Sequence, residues 1–502
     1  MDTTYSYLEK LLTRIAFLGV LLLPVVFLPG ASVNLYVVKI TFLATIAAVL
    51  FITFLFTVLK TGHLRVPKSR ALLLLALLAL VGLASALMTG LFGPSFSGVV
   101  LEQGSAVVFL ILTVLASLFA FGITTSSMAE TVLRAFLYSS FVLVVLLLIT
   151  ILSSYGILPS ALTSYLPAIP AGSVTDTGII LGAAVLLALS RLTMSSNSSR
   201  MRYLLYVLLV ASFLFIGAMN FRLVPTALAV FTLLHFVYLL SFSGAPTMDG
   251  MPRERKVSPI SLFVLAASVV LLIGASSIGS TLSSTLRVNN VLVRPSGDAT
   301  FGLLKKSVQE SPALGIGPNR FANFWDMNRP TEINLTNFWS TRFSSGSGYL
   351  PTLAIETGIL GLLAILGFLA IYMLTAFKAI FSDNQAGESS GNNRFLALTS
   401  FLLAIYFWVM LIFYSPGIVV LALAFVMTGL SIAIGVNNHT IRSTTWNIFA
   451  SQIKFCISLW YRSVGSSICC CIVHGLGEVY RGCALYQGCK RDQYIWQCRP
   501  VS

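Results

Sequence analysis

Charge is what this chain has least of. Of its 502 residues only 9% are Asp, Glu, Lys or Arg, while 57% are hydrophobic. About a quarter of the residues in an ordinary soluble domain are charged, so a water-soluble globular protein of this size is excluded. Short segments that alternate apolar and polar residues are also missing, which excludes a transmembrane β-barrel. No contiguous basic arm is present despite the net charge of +15, and with it goes the nucleic-acid reading. Histidine is scarce: His63, His235, His439 and His474 are all there are, and none lies within 277–348. Cysteine is absent before Cys456.

What is there is a series of long uncharged runs, each near the ~20 residues a helix needs to cross hydrocarbon. Inside such a run every backbone group must find its partner within the segment, which favours helices. Spans are expected near 13–29, 37–58, 71–92, 105–124, 131–152, 174–190, 203–219, 222–243, 258–276, 349–377, 395–413 and 416–436. The fold class is therefore an all-α polytopic membrane protein of about 12 transmembrane helices, with one large extracytoplasmic loop carrying short helices. The domains are a bundle over 1–276, the loop over 277–348, three further spans over 349–436 and an atypical tail over 437–502. The first run follows Lys10 and Arg14, as a signal peptide would. Pro24 and Pro29 close it, no A-x-A site follows and a second span comes at once, so an uncleaved helix is expected.

Lys and Arg set the orientation. Lys60, Arg65, Lys68 and Arg70 follow the second span, Arg134 the fourth, Arg191, Arg200 and Arg202 the sixth, Arg253, Arg255 and Lys256 the eighth, and Lys378 and Arg394 the tenth. The opposite short loops at 30–36, 93–104 and 153–173 contain neither residue. This asymmetry places the N-terminus in the cytoplasm and 277–348 outside. His235, inside the eighth span, reads as a packed polar residue bonded to a neighbouring helix.

The exception in that charge pattern is Arg222, at the outer start of the eighth span in Asn220-Phe221-Arg222-Leu223. An arginine at or in hydrocarbon is costly and marks a functional candidate, although an interfacial arginine can also simply snorkel. Its planar fork suits phosphate oxygens. The external loop keeps Arg287, Arg294, Lys305, Lys306, Arg320, Arg329 and Arg342 beside Asp298, Glu310, Asp326 and Glu332. Positive charge left outside invites an anionic ligand, and a solvated cap over the bundle is the plainer reading. Within the loop, 300–310 has an amphipathic helical pattern that ends at the turn Ser311-Pro312. Gly315-Ile316-Gly317-Pro318-Asn319-Arg320-Phe321 is a glycine-rich turn with no βαβ surroundings, so a dinucleotide site fails. Phe324, Trp325, Trp339 and Phe343 suit sugar faces or a membrane interface equally.

Two stretches carry a family resemblance. Pro312-Ala313-Leu314-Gly315-Ile316-Gly317-Pro318-Asn319-Arg320-Phe321 and Tyr349-Leu350-Pro351-Thr352-Leu353-Ala354-Ile355-Glu356-Thr357-Gly358-Ile359-Leu360-Gly361, with Arg222 at the outer start of a span, resemble the O-antigen ligase/polymerase superfamily of bacterial membrane glycan transferases. The resemblance extends over residues 10–436, with its specific motifs in 312–361 and around Arg222. It implies transfer of a glycan from a polyprenyl (undecaprenyl) diphosphate donor to a saccharide or lipid acceptor, at the outer face of the bacterial cytoplasmic membrane. No cofactor or metal is implied. Arg222 would hold the donor diphosphate, with Arg294, Arg320, Trp325, Trp339, Arg342 and Tyr349 as substrate contacts. The family's histidine before the re-entering helix is missing, and Gly346-Ser347-Gly348 stands in its place. Glu332 or Glu356 is then the carboxylate that substitutes, or Glu356 is structural.

The tail after residue 437 holds all seven cysteines, Cys456, Cys469, Cys470, Cys471, Cys483, Cys489 and Cys498, with no C-x-x-C. A zinc site is thus weakly supported, and the tail reads as a poorly ordered or out-of-frame extension. Two other functions compete with glycan transfer. One is a transporter or flippase of a lipid-linked or anionic solute, which should show ionisable or interrupted helices near the midplane. The other is a non-catalytic relative.

Overall fold

The computed structural model describes residues 2–447, apart from 30–33, 90–91, 99–100, 160–164, 168, 196, 243–257, 289, 291–292 and 382–389. The cysteine-bearing tail from residue 448 onward, and the reading given to it above, lie outside the described residues. The order of elements is α1 (Asp2–Leu22), α2 (Leu35–Thr61), β1 (His63–Pro67), α3 (Arg70–Met88), α4 (Phe92–Phe96), α5 (Ala106–Gly122), α6 (Ser126–Ser154), α7 (Val174–Met194), α8 (Ser199–Met219), α9 (Leu223–Phe242), α10 (Pro259–Ile273), a π turn (Ala275–Gly279), α11 (Ser280–Thr285), α12 (Gly297–Glu310), α13 (Phe321–Asn328), a 3-10 turn (Thr331–Leu335), α14 (Tyr349–Phe381), α15 (Ser390–Phe413), α16 (Ile418–Asn437) and β2 (Ser443–Asn447).

The helices begin where side chains can satisfy the first free N–H groups. Ser69 accepts from Leu72 N, Thr125 from Met128 N, Ser173 from Asp176 N, Ser198 from Met201 N and Ser296 from Ala299 N. Among the described residues nine helices are long and apolar enough to cross a membrane: α2, α3, α6, α7, α8, α9, α14, α15 and α16. A tenth is reached if α10 and the Ala275–Thr285 segment, bent by 77°, form one span. The chain is a multi-pass membrane protein. Two of the expected spans differ from these. Helix α5 has 17 residues. The run expected over 13–29 is instead α1, which stops at Leu22 because Pro24 supplies no N–H and disfavours helix before it.

Burial separates centre from rim. The most apolar window of α16 is 94% buried and that of α7 is 83% buried, against 28% for α2. Helix α15, at 83%, matches α7, so α7, α15 and α16 form the bundle's interior. His235 of α9 is buried, with Nε2 3.5 Å from Thr193 Oγ1, as a packed polar residue. The larger compact unit comprises residues 1–57 and 66–444 and contains the bundle except for the last turn of α2. The smaller groups 58–65 with the chain from residue 445, and its described part includes the paired ends of β1 and β2.

Between α11 and α14 the chain builds a small core of its own. Ala299 and Leu303 of α12 meet Phe321, Phe324 and Trp325 of α13, and Ile355 of α14 joins them. The amphipathic pattern read at 300–310 is the visible part of α12, which starts three residues earlier, at Gly297, behind the Ser296 cap.

Candidate functional site at the loop-side end of the bundle

The segment that precedes α13 is bound into a break in α14. Gly358 has φ 66° and ψ −162°, so the helix is interrupted there. In an unbroken helix the N–H groups of residues 359 and 360 would bond the carbonyls of 355 and 356. Here the glycine turn takes all four groups. Ile316 N donates to Ile355 O at 3.1 Å and Gly317 N to Glu356 O at 3.0 Å, while Ile359 N donates to Pro312 O at 2.9 Å and Leu360 N to Ala313 O at 3.2 Å. Hydroxyls reinforce the joint: Ser307 Oγ donates to Ile355 O at 2.8 Å, and Ser85 Oγ lies 2.6 Å from Leu314 O and 3.2 Å from Glu356 O. The two stretches that carry the family resemblance are thus a single structural unit.

Glu356 is part of that joint. It is buried, and its Oε1 accepts from Phe321 N at 3.2 Å, at the N-terminus of α13. A carboxylate at a helix N-terminus satisfies donors that the helix leaves free and meets the positive end of its dipole. Glu356 thus links α14 to the first turn of α13. Tyr349 opens α14, is buried, and lies 6.3 Å from the Phe109 ring. Trp325 is fully buried, stacked on Phe321 and edge-on to Phe343, so both its ring faces pack against protein. Trp339 is 61% exposed, and with Phe301 and Phe338 it is an aromatic side chain the loop offers outward. Arg342 is held by Asp326 at 3.0 Å and by Asn323, and Arg320 is half-buried at the start of α13. Glu332 is exposed in the 3-10 turn.

Arg222 sits at the tight corner between α8 and α9. Asn220 closes α8 in the left-handed region at φ 48°, and the Arg222 carbonyl accepts from Thr226 N at 3.2 Å and Thr226 Oγ1 at 2.8 Å. Its side chain is exposed and forms no ion pair among the described residues. The neighbouring Phe221 packs edge-on against Tyr414, ring centroids 5.4 Å apart. Arg294 reaches the same place from the loop, its Nη1 2.9 Å from both Ser347 O and Phe413 O. Tyr414 N donates to Met410 O at 2.9 Å, and Tyr349 N donates to Tyr414 O at 3.4 Å. Arg294 and Tyr349 therefore meet at the Phe413–Tyr414 corner, and Arg222 is tied to it only through its neighbour Phe221. Trp325, Arg342 and Arg320 belong to the loop's own packing.

Below Tyr414 lies a polar floor that the sequence reading passed over. Asp176, in the first turn of α7, accepts from Gly417 N with both oxygens, at 3.2 and 3.1 Å. Lys39 of α2 is 2% exposed and donates to Leu23 O at 3.2 Å and Pro24 O at 3.0 Å. The signal was available, because a charged residue within an apolar run is a functional candidate by default. Burial pushes the Tyr414 phenol up to about 12, and the Asp176 carboxylate acts in the same direction. Arg294 opposes them. No group of three or more His, Cys, Asp or Glu side chains suited to a metal is gathered among the described residues.

Compared with protein-family models and with curated proteins, the chain matches none.

Proposed function

We propose that the protein transfers a glycan from a polyprenyl-diphosphate carrier to a saccharide or lipid acceptor, in the manner of an O-antigen ligase or polymerase. It would do so at the outer face of the bacterial inner membrane. This reading includes α1 and α5 among twelve spans, a cytoplasmic N-terminus and an extracytoplasmic 277–348. The observation that supports it is the reach of Arg294 from the loop to the Phe413 carbonyl, next to Tyr414, with the exposed Arg222 following directly on Phe221, which packs against the same tyrosine. Neither forms an ion pair among the described residues.

In the proposed reaction the acceptor hydroxyl attacks the anomeric carbon and the bond from that carbon to the diphosphate oxygen breaks. The diphosphate leaves with the electron pair, and the hydroxyl proton passes to a phosphate oxygen or to water. Preorganised cations aimed at the growing negative charge are the main source of such catalysis. Arg222 supplies that charge, Arg294 fixes the loop over it, and Trp339 offers an apolar face to the sugar. Glu356 acts by holding α13 in register and not by touching substrate.

A second reading, movement of a lipid-linked or anionic solute, is favoured by Lys39 and Asp176, both buried in apolar helices. The interruptions at Gly274 and Gly358 also resemble the broken helices of transporters. However, α14 beyond Gly358 keeps about two dozen residues, roughly 36 Å at 1.5 Å each. That is a full span, which puts the break near one surface and not at the midplane.

Reconstitution in vesicles with a polyprenyl-diphosphate-linked oligosaccharide separates the two readings. Transfer releases free carrier diphosphate and elongates or modifies the acceptor, and Arg222→Ala should slow this by ~10²–10³-fold. Passage of intact donor across the bilayer with no released carrier would sink the transferase reading.

A further inference from the structure

The end of the bundle opposite the loop carries a cavity that glycan transfer does not use. Helix α3 meets the glycine turn through Ser85, near its C-terminal end, and α14 starts at the loop with Tyr349. The two helices pack together in opposite directions, so Arg70 and Lys378 lie at the same, loop-distal end. Between them is a cavity of about 240 Å³, lined by Lys68, Ser69, Arg70, Ile371, Leu374, Thr375 and Lys378.

Three of those seven residues are cations and none is acidic. Lys68, Arg70 and Lys378 form no ion pair among the described residues. A single water needs roughly 10–15 Å³ of such space, so the cavity has room for a phosphate and part of a glycerol. The local fold fixes the backbone that carries these exposed cations. Lys68 N donates to Arg442 O at 2.8 Å, and Ser69 caps α3 through Leu72 N, which turns the positive end of a 19-residue helix toward the cavity. Lys378 comes from a separate helix. Ile371, Leu374, Thr375 and Lys378 follow the i, i+3, i+4, i+7 spacing of one helical face. That face runs from apolar through hydroxyl to cation. Leu374 is 63% exposed and, in a membrane protein, faces acyl chains.

We propose that this cavity binds the headgroup phosphate of an anionic glycerophospholipid, whose acyl chain runs along Ile371 and Leu374. Basic side chains next to spans are commonly explained by topology alone. That rule asks for charge at one end of the bundle, whereas here three cations, from the segment before α3, its first residue and α14, line one cavity with an apolar strip leading out of it. Basic pockets of this kind between helices suit anionic headgroups. The inference does not depend on the glycan-transfer reading.

The test compares the purified full chain in nanodiscs of phosphatidylcholine alone and of phosphatidylcholine mixed with phosphatidylglycerol. Bound lipid is counted by native mass spectrometry and stability followed by thermal unfolding. Retained phosphatidylglycerol and a higher midpoint in the mixed discs are expected. At about 1 kcal/mol per cation, the combined Lys68→Gln, Arg70→Gln and Lys378→Gln variant should bind it on the order of a hundredfold more weakly. Arg200→Gln with Arg202→Gln, basic positions away from the cavity, should leave the preference intact. Should the combined variant fail to fold, Lys378→Gln alone is expected to lower the bound-lipid count. The proposal is overturned if the cavity variants keep the preference, if the Arg200/Arg202 pair abolishes it equally, or if inorganic phosphate alone reproduces the stabilisation.

Discussion

Gly315 and Gly358 face each other across the joint between the loop turn and α14, and neither has room for a side chain. Both have left-handed backbone, φ 67° and 66°, and a Cβ on either would stand 2.6 Å from the other's backbone nitrogen. Because the turn replaces helix hydrogen bonds one for one, the glycine pair is what lets two backbones approach closely enough to exchange them.

Gly358→Ala and Gly315→Ala should each destabilise by at least ~1–2 kcal/mol from the left-handed conformation alone, and the contact adds to that. The control is Gly302→Ala in α12, where a Cβ meets nothing within 4 Å. That change should be neutral or stabilising by up to ~1 kcal/mol. Thermal midpoints in one detergent, with limited proteolysis between residues 286 and 348, compare them. Equal midpoints for Gly302→Ala and Gly358→Ala would remove the close-approach argument.

Glu356 offers a sharper distinction. If its carboxylate caps α13, Glu356→Gln keeps an acceptor for Phe321 N and loses only charge, so most stability and activity should survive. Glu356→Ala leaves that buried N–H unpaired and should cost ~1–3 kcal/mol. A general base would behave otherwise, since Gln cannot take a proton. Transfer activity abolished in Glu356→Gln, at unchanged stability, would return Glu356 to the chemistry.

Much of the architecture is legible in the sequence because the bilayer imposes length and apolarity on every span, and Arg222 is legible as a cation where its neighbours have none. The joint at Gly358 is not. Backbone hydrogen bonds carry no side-chain signature, and glycine-rich turns look alike whether they hold a ligand or another backbone. Trp325 reads as a ligand contact in the sequence because an aromatic among polar residues looks the same in a small loop core as on a surface. Lys39 escapes notice because a single cation barely changes the mean apolarity of its run. Its partners, the carbonyls of Leu23 and Pro24, become visible only once α1 and α2 are placed together.

Lys39 and Asp176 should be coupled. They form no direct ion pair among the described residues, and Lys39 is held by the Leu23 and Pro24 carbonyls, which Lys39→Met leaves without their donor. That variant is therefore expected to lose ~1–3 kcal/mol. Asp176→Asn is expected to be milder, as the amide oxygen can still accept from Gly417 N. The double variant should lose less than the two single losses combined, by ~0.5 kcal/mol or more. Strict additivity in a denaturation cycle would show that the two groups do not sense each other.

Tyr414 ties the candidate site to pH. Its phenol is pushed up to about 12 by burial and by Asp176, against ~10 in an unfolded chain. Below pH ~10 both states keep the proton, and the group gives stability no pH dependence. From there to about 12 the unfolded chain sheds a proton that the folded chain retains. Unfolding then releases a proton, and stability falls as pH rises across the window. Tyr414→Phe removes this contribution and keeps the ring that packs edge-on with Phe221. The stability gap between wild type and Tyr414→Phe should stay constant up to pH ~10 and then shift in favour of the variant. Tyrosinate absorbance should show one late-titrating group fewer in the variant. A gap that stays flat to pH 12 would mean that Tyr414 ionises as freely in the folded protein as in the unfolded chain, and it would no longer count as sealed between Arg294 and the Asp176 floor.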